Sequence, residues 1–217
     1  MIVTEKKLEQ EILDSLKGYR KIFLVGCGEC ATTCKTGGEP ELLQMKELLG
    51  QAGKTVTGSC LPESPCSAGS IKIELAKNMK ALRESEAVLV LSCGLGVQSV
   101  KDNDRLGLAI IPGCNSLFGA VIDAQGNLQE KCSLCGSCVL DLTMGICPIT
   151  LCPKGLLNGP CGGMDKGKCE VDKEKDCAWV LIYREMEKKG KLEQFKAIQK
   201  TRDFKKATKP RKIVLVK

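Results

Sequence analysis

The sequence predicts an α/β protein in which a small parallel-sheet N-terminal domain is followed by a cysteine-rich, metal-organised domain and a C-terminal helix. Three observations predict it. Short apolar runs alternate with amphipathic segments of helical period over about residues 19–120. Residues 132–177 then hold eight cysteines among many glycines and prolines, with little periodicity. Such a segment has too few apolar residues for a core of its own and needs metal to organise it. Finally, residues 178–189 place Trp179, Leu181, Ile182, Tyr183 and Met186 on one helical stretch.

In chain order, Leu8, Ile12 and Leu16 recur every four residues on a charged background, with Gly18 beyond them, and predict a helix over residues 4–17. Residues 21–26 are a short apolar run suited to a buried strand. Pro40 in a first turn, Leu42, Leu43, Met45, Leu48 and Leu49 along the segment and Gly53 after it predict a helix over 40–51. Residues 54–58 read as a strand. Ile71, Leu75, Met79 and Leu82 share one face of a helix over 70–83, which leads into the clearest buried strand, 86–92. A short helix around 97–101 and a strand over 108–111 complete the alternation. Gly126 marks a turn or hairpin within 121–129, so the domains are expected to span 1–120 and 121–217. The apolar residues 213–216 would add an edge strand or dock on a partner.

A cysteine follows each predicted strand: Cys27, Cys60, Cys93 and Cys114. In a parallel sheet the carboxyl ends of all strands lie along one edge, where such folds bind ligands. These distant cysteines are therefore predicted to converge.

Composition narrows the chemistry. The 217 residues include 15 cysteines and no histidine. An odd count and CxxC spacings favour metal ligation over disulfides. Without imidazole, Cys/His zinc fingers, Rieske centres and His-dependent catalysis are excluded. All-thiolate iron–sulfur clusters or four-cysteine zinc remain. The formal charge is +7, but an oxidised 4Fe–4S core of about +2 held by thiolates totalling about −4 removes roughly two charges per cluster. With 3% aromatic residues there is little to stack bases on, so nucleic acid is not an expected partner. The start of the chain carries no signal-peptide pattern and no apolar run reaches membrane-spanning length, so a cytoplasmic location and no membrane partner are expected.

Three cysteine sets carry the expected chemistry. Cys132-Ser-Leu-Cys135-Gly-Ser-Cys138, with Cys147-Pro148 beyond it, lets one tight loop wrap three corners of a cuboidal cluster, and Gly136 permits the bend. Bacterial ferredoxins place three residues before the proline-flanked cysteine; eight intervene here. Cys27-Gly-Glu-Cys30-Ala-Thr-Thr-Cys34 opens a second set, for which Cys60, Cys66, Cys93 and Cys114 are within reach. Cys114 is expected to be a structural thiol. Cys152, Cys161, Cys169 and Cys177 form the third, suited equally to zinc or a cluster. The expected complement is two 4Fe–4S clusters, with the third set holding zinc or a further cluster. Gly94-Leu-Gly96 lacks the third glycine of a dinucleotide loop and reads as a strand-to-helix turn. Lys205, Lys206, Lys209, Arg211 and Lys212 form a basic tail, either solvated surface or a dock for an acidic electron carrier.

The run Ile146-Cys-Pro-Ile-Thr-Leu-Cys-Pro-Lys-Gly-Leu-Leu-Asn-Gly-Pro-Cys-Gly-Gly163, with Gly167-Lys-Cys-Glu170 and Cys177-Ala-Trp179, resembles the cysteine-rich small subunit of acetogen-type methylenetetrahydrofolate reductase. The same module occurs as a C-terminal domain of related reductases. Val25-Gly-Cys-Gly28 and Ser92-Cys-Gly94 match its N-terminal half, and Cys114 stands where a non-cysteine residue is expected. The resemblance implies a heteromeric enzyme of one-carbon metabolism, in the Wood–Ljungdahl pathway. A separate flavin-containing subunit forms methyltetrahydrofolate, and this chain relays electrons to that flavin. It also implies a ferredoxin or a hydrogenase/heterodisulfide-reductase-like electron donor. The chain shows no flavin site, phosphate loop or acid/base constellation, so no catalytic centre of its own is expected. The alternative is a zinc-stabilised adaptor that assembles the reductase with its redox partners; a corrinoid-linked methyl-transfer protein ranks last, for want of a histidine to ligate cobalt.

Overall fold

The two most continuous apolar runs become neighbouring central strands of one sheet. β2 (Lys21–Val25) and β4 (Ala87–Val90) are flanked by β3 (Thr55–Cys60) and β5 (Ala109–Pro112), in the order β3-β2-β4-β5, all parallel. These strands belong to the first of two compact units, Met1–Phe118; the second begins at Gly119. The structure is a computed structural model and describes residues 1–214.

Helices cover both faces of the sheet, which is why its inner strands are apolar on both sides. On one face, Ile22, Leu24, Ala87, Leu89 and Leu91 pack with Ile12 and Leu16 and with Leu42, Met45 and Leu49. These come from α1 (Glu9–Ser15), with its C-terminal Leu16, and from α3 (Glu39–Gln51). A single turn, α2 (Cys30–Thr33), lies between them in sequence. On the other face, Phe23, Val25, Val88 and Val90 meet Ile71, Leu75, Leu82 and Val100, from α4 (Ala68–Lys77), α5 (Met79–Arg83) and α6 (Gly94–Asn103).

Several expectations change in detail. The helix over 4–17 is shorter, because β-branched Ile2, Val3 and Thr4 belong to a strand, β1 (Ile2–Lys6), beside β6 (Cys114–Ile122). Lys7 N–H continues that pairing to Gly113 O at 3.0 Å. Leu8, the first residue of the four-residue repeat, is left 76% exposed. The helix over 70–83 breaks at Asn78, whose side-chain amide donates to Glu74 O at 2.9 Å and caps the first half. The helix around 97–101 starts earlier, at Gly94.

In the second unit, residues 120–122 of β6 pair antiparallel with β7 (Leu128–Glu130) around a turn containing Gly126. α7 (Pro148–Leu151) and α8 (Ala178–Lys188) follow, with 3-10 turns at Leu192–Lys196 and Phe204–Ala207. Cys177, Trp179, Ile182 and Met186 form its small core, against which Phe195 packs edge-on to Trp179 at 5.7 Å. Of the apolar residues 213–216, Ile213 and Val214 are exposed and in no strand, while Leu215 and Val216 lie outside the described residues.

Leu24, fully buried in the central β2, sets a test of this layering. Leu24→Ala is expected to cost about 2–5 kcal/mol in chemical denaturation, whereas Leu43→Ala, on the exposed face of α3, is expected to change stability by less than about 0.5 kcal/mol.

Candidate metal centres

The register of the sheet brings the first cysteine set together. Val25 pairs with Cys60 and with Val90, and Val90 pairs with Pro112, so the four strands end at one level. Cys27 and Cys93 lie just past their strands, Cys60 is the last residue of β3, and Cys114 opens β6 two residues after β5; all four are buried. Two glycines make the crossing of loops at this edge possible. A Cβ on Gly37 would sit 1.9 Å from Leu91 O, and one on Gly26 would sit 2.6 Å from Gly37 O.

The loop after β2 is tied down on both sides of Cys27. Cys27 N–H donates to Gly37 O at 2.9 Å, and its carbonyl accepts from Thr32 N–H at 3.2 Å and Thr32 Oγ1 at 2.7 Å. Gly28 N–H donates to Pro62 O at 2.9 Å, fixing the β2 loop to the β3 loop. Burial raises the Cys27 thiol above its ordinary value, and the nearby Cys30 and Cys93 add to the rise. Cys93 is the N-cap of α6, at the positive end of that helix dipole. Cys34 and Cys93 are likewise electrostatic neighbours of Cys114. The edge thus gathers Cys27, Cys30, Cys34, Cys93 and Cys114.

Cys60 and Cys114 point into opposite apolar layers. Burial pushes each from 9.0 up to about 12. Cys114 donates its S–H to Thr36 O at 3.6 Å; the neighbouring charge acting on Cys60 is Glu74, not a thiol. Cys66 is exposed.

In the second unit, the Cys132–Cys138 loop has no regular structure. Leu134 and Gly136 take positive φ, 54° and 79°, and Leu134 N–H donates to Cys132 Sγ at 3.4 Å. Cys135 is held below its ordinary pKa by a backbone hydrogen bond at Ser137 and by the Arg202 guanidinium. Cys147 caps α7 and donates to Thr150 Oγ1 at 3.6 Å; Pro148 beside it lines the same groove as Ser137 and Val139. The composition gave no signal that Arg202 and Arg211 would reach this loop, since 65 and 77 residues separate the bonded partners.

The third set shares one cavity. Cys152, Cys161, Cys169 and Cys177 all line it, with Trp179 and Met164 among its walls and the Lys154–Glu170 ion pair at its side. Trp179 is fixed there by its indole N–H, which donates to Leu156 O at 3.0 Å. Cys169 N–H donates to Lys175 O at 2.9 Å and Cys177 N–H to Gly167 O at 2.8 Å, so two of the four thiols ride on one hydrogen-bonded loop. Among the described residues, no three Cys, Asp or Glu side chains converge as a single-ion site. Four thiols around one cavity are an all-thiolate donor set of the kind that zinc and iron–sulfur clusters both use.

Two outcomes follow for the apo-protein. Neutral Cys114 stabilises the fold fully below pH 9.0, and as its folded pKa is raised, that contribution is lost as pH rises from 9.0 toward about 12. Cys114→Ala is expected to cost roughly 1–2 kcal/mol near neutral pH and to flatten the alkaline decline in urea midpoints. Iodoacetamide is expected to label Cys135 well before Cys60 or Cys114, read by mass spectrometry, because only the thiolate reacts.

Comparison with known proteins bears on the second unit. No curated protein matches the chain. Among solved structures, a mutant of arylmalonate decarboxylase in a sulfate-associated form aligns at 16% identity over 48% of this chain and 46% of its own, so the chain spans just under half of that protein. Its TM-score of 0.34 is too low to bear on fold or chemistry. Residues 111–205 match the family model described as the methylene-tetrahydrofolate reductase C terminal. Val25–Gly28 and Ser92–Gly94, through which the resemblance was expected to extend, lie outside the matched residues. The match does take in Cys132 to Cys177, both cysteine sets of the second unit, and over residues 111–205 the chain is similar to that family.

Proposed function

We propose that this chain is an iron–sulfur electron-transfer subunit of a methylenetetrahydrofolate reductase complex. One observation carries the reading: within the family-matched residues, four cysteines far apart in sequence line a single cavity beside an ordered tryptophan. Backbone donation to Cys132 supports a second centre in the same unit, and the gathering of Cys27, Cys30, Cys34 and Cys93 at the sheet edge supports a third. The residues fit the group, being thiols without competing imidazole.

When bound, 4Fe–4S clusters supply one-electron chemistry. The chain's own part is to fix the thiolates, to exclude water with the apolar walls around Cys152 and Cys177, and to set net charge through cations such as Lys154 and Arg202. The flavin of a separate catalytic subunit is the proposed acceptor, and a ferredoxin or hydrogenase/heterodisulfide-reductase-like protein the proposed donor, in the cytoplasm. Among the described residues no helix is long and apolar enough to cross a membrane.

The test is stopped-flow mixing of the dithionite-reduced chain with the oxidised flavin subunit. Flavin bleaching faster than with dithionite alone is expected, and Cys169→Ser or Cys135→Ser is expected to slow it at least tenfold. A colourless, zinc-only chain that leaves the flavin oxidised yet still assembles the complex would favour the adaptor reading instead. Cys27→Ser and Cys93→Ser are expected to lose one centre's iron, while Cys114→Ala keeps the full iron content.

A further inference from the structure

Three separate contacts draw the C-terminal segment across the Cys132–Cys138 loop. Arg202 Nη2 donates to Ser137 O at 3.4 Å, and its guanidinium lies beside the Cys135 thiol. Arg211 Nη1 donates to Leu134 O and to Lys206 O, each at 3.2 Å. The backbone of Lys206 lies so close to Gly136 that a Cβ there would sit 2.8 Å from Lys206 O. The segment is thus more than a solvated basic tail.

Arg202 has a further property. Its Nε is the one buried side-chain nitrogen or oxygen among the described residues that has no hydrogen-bond partner. The Phe204 ring covers the guanidinium, 5.7 Å from its carbon. A buried N–H without an acceptor is unfavourable, and the chemistry beside it is a loop of three closely spaced cysteines. The planar fork of an arginine lets Nη2 hold the Ser137 carbonyl while Nε–H is offered elsewhere; a lysine has no such divided geometry.

We propose that Arg202 is a positioning residue for the cluster held by Cys132, Cys135 and Cys138, donating its Nε–H to a sulfur of that cluster and raising its reduction potential. The proposal rests on the iron–sulfur reading above. One-electron reduction adds negative charge to the sulfur-rich centre, so a buried donor and a positive charge beside it stabilise the reduced form more than the oxidised one. Arg202 thereby raises the potential of this centre relative to the others in the chain.

Anaerobic redox titration of the full chain, followed by EPR, tests this with Arg202→Gln, Arg202→Lys and Arg211→Gln. Arg202→Gln is expected to keep its iron and labile sulfide while the midpoint of one cluster falls by at least 59 mV, a tenfold smaller ratio of reduced to oxidised cluster at fixed poise. The other midpoints stay in place. Arg202→Lys falls by less, and Arg211→Gln, which touches only carbonyls, leaves every midpoint unchanged. Iron-replete Arg202→Gln titrating as wild type overturns the proposal, as does an equal shift in Arg211→Gln. If Arg202→Gln loses that cluster's iron, Arg202→Lys decides: a lowered midpoint supports the proposal and an unchanged one overturns it. A wild-type chain free of iron defeats the underlying reading, and this proposal with it; unchanged midpoints in iron-replete variants defeat this proposal alone.

Discussion

A thiol can leave water neutral at little cost, but a thiolate cannot do so without a cation or a set of donors beside it, and this requirement sorts the cysteines of the chain. Cys60 and Cys114 sit in opposite apolar layers of the first unit, each pushed up to about 12, and act there as small apolar side chains. Cys135 faces a backbone hydrogen bond at Ser137 and the Arg202 guanidinium, surroundings suited to a charged sulfur. The cysteines between these extremes lie at loop ends and cavity walls, where a metal centre would supply the missing positive charge. In the proposed reading, thiolate demand for a cation is what would organise the second unit, whose core holds few apolar side chains.

The sheet contributes by geometry. Parallel pairing in register places the ends of four strands at one level, and two glycines allow the loops beyond them to cross within contact distance. Cys27 and Cys93, 66 positions apart in sequence, become electrostatic neighbours in this way. Proximity at this edge comes with the backbone hydrogen bonding and packing of the sheet.

Much of the fold was legible in the residues because buried parallel strands have an unmistakable apolar signature; β2 and β4 fall within the runs that predict them. The convergence of Cys27 and Cys93 was legible for the same reason. Other features were not. Residues 4–6 of β1 were read as helix because Leu8 happens to extend a four-residue repeat, whereas pairing with β6, a contact across more than a hundred residues, decides their conformation. The break at Asn78 depends on one side-chain hydrogen bond that overrides an intact apolar face. Cys60 followed the pattern of its neighbours in sequence, yet its side chain faces the apolar layer of α4 instead of the other thiols. The grouping of Cys152, Cys161, Cys169 and Cys177 was visible as spacing, but the wall that Trp179 adds comes from tertiary packing. Arg202 gave no signal, since nothing local in the sequence links it to a cysteine loop 65 residues earlier.

The central claim is that these sulfurs hold iron as clusters, and Mössbauer spectroscopy of anaerobically isolated, iron-enriched protein tests it most directly. The account predicts quadrupole doublets of valence-delocalised pairs, as in cubane clusters, accounting for nearly all the iron and collapsing in part when Cys135 or Cys169 is replaced by serine. Iron present only as mononuclear or adventitious species, in a chain that is nevertheless folded and active with its partner, would contradict it.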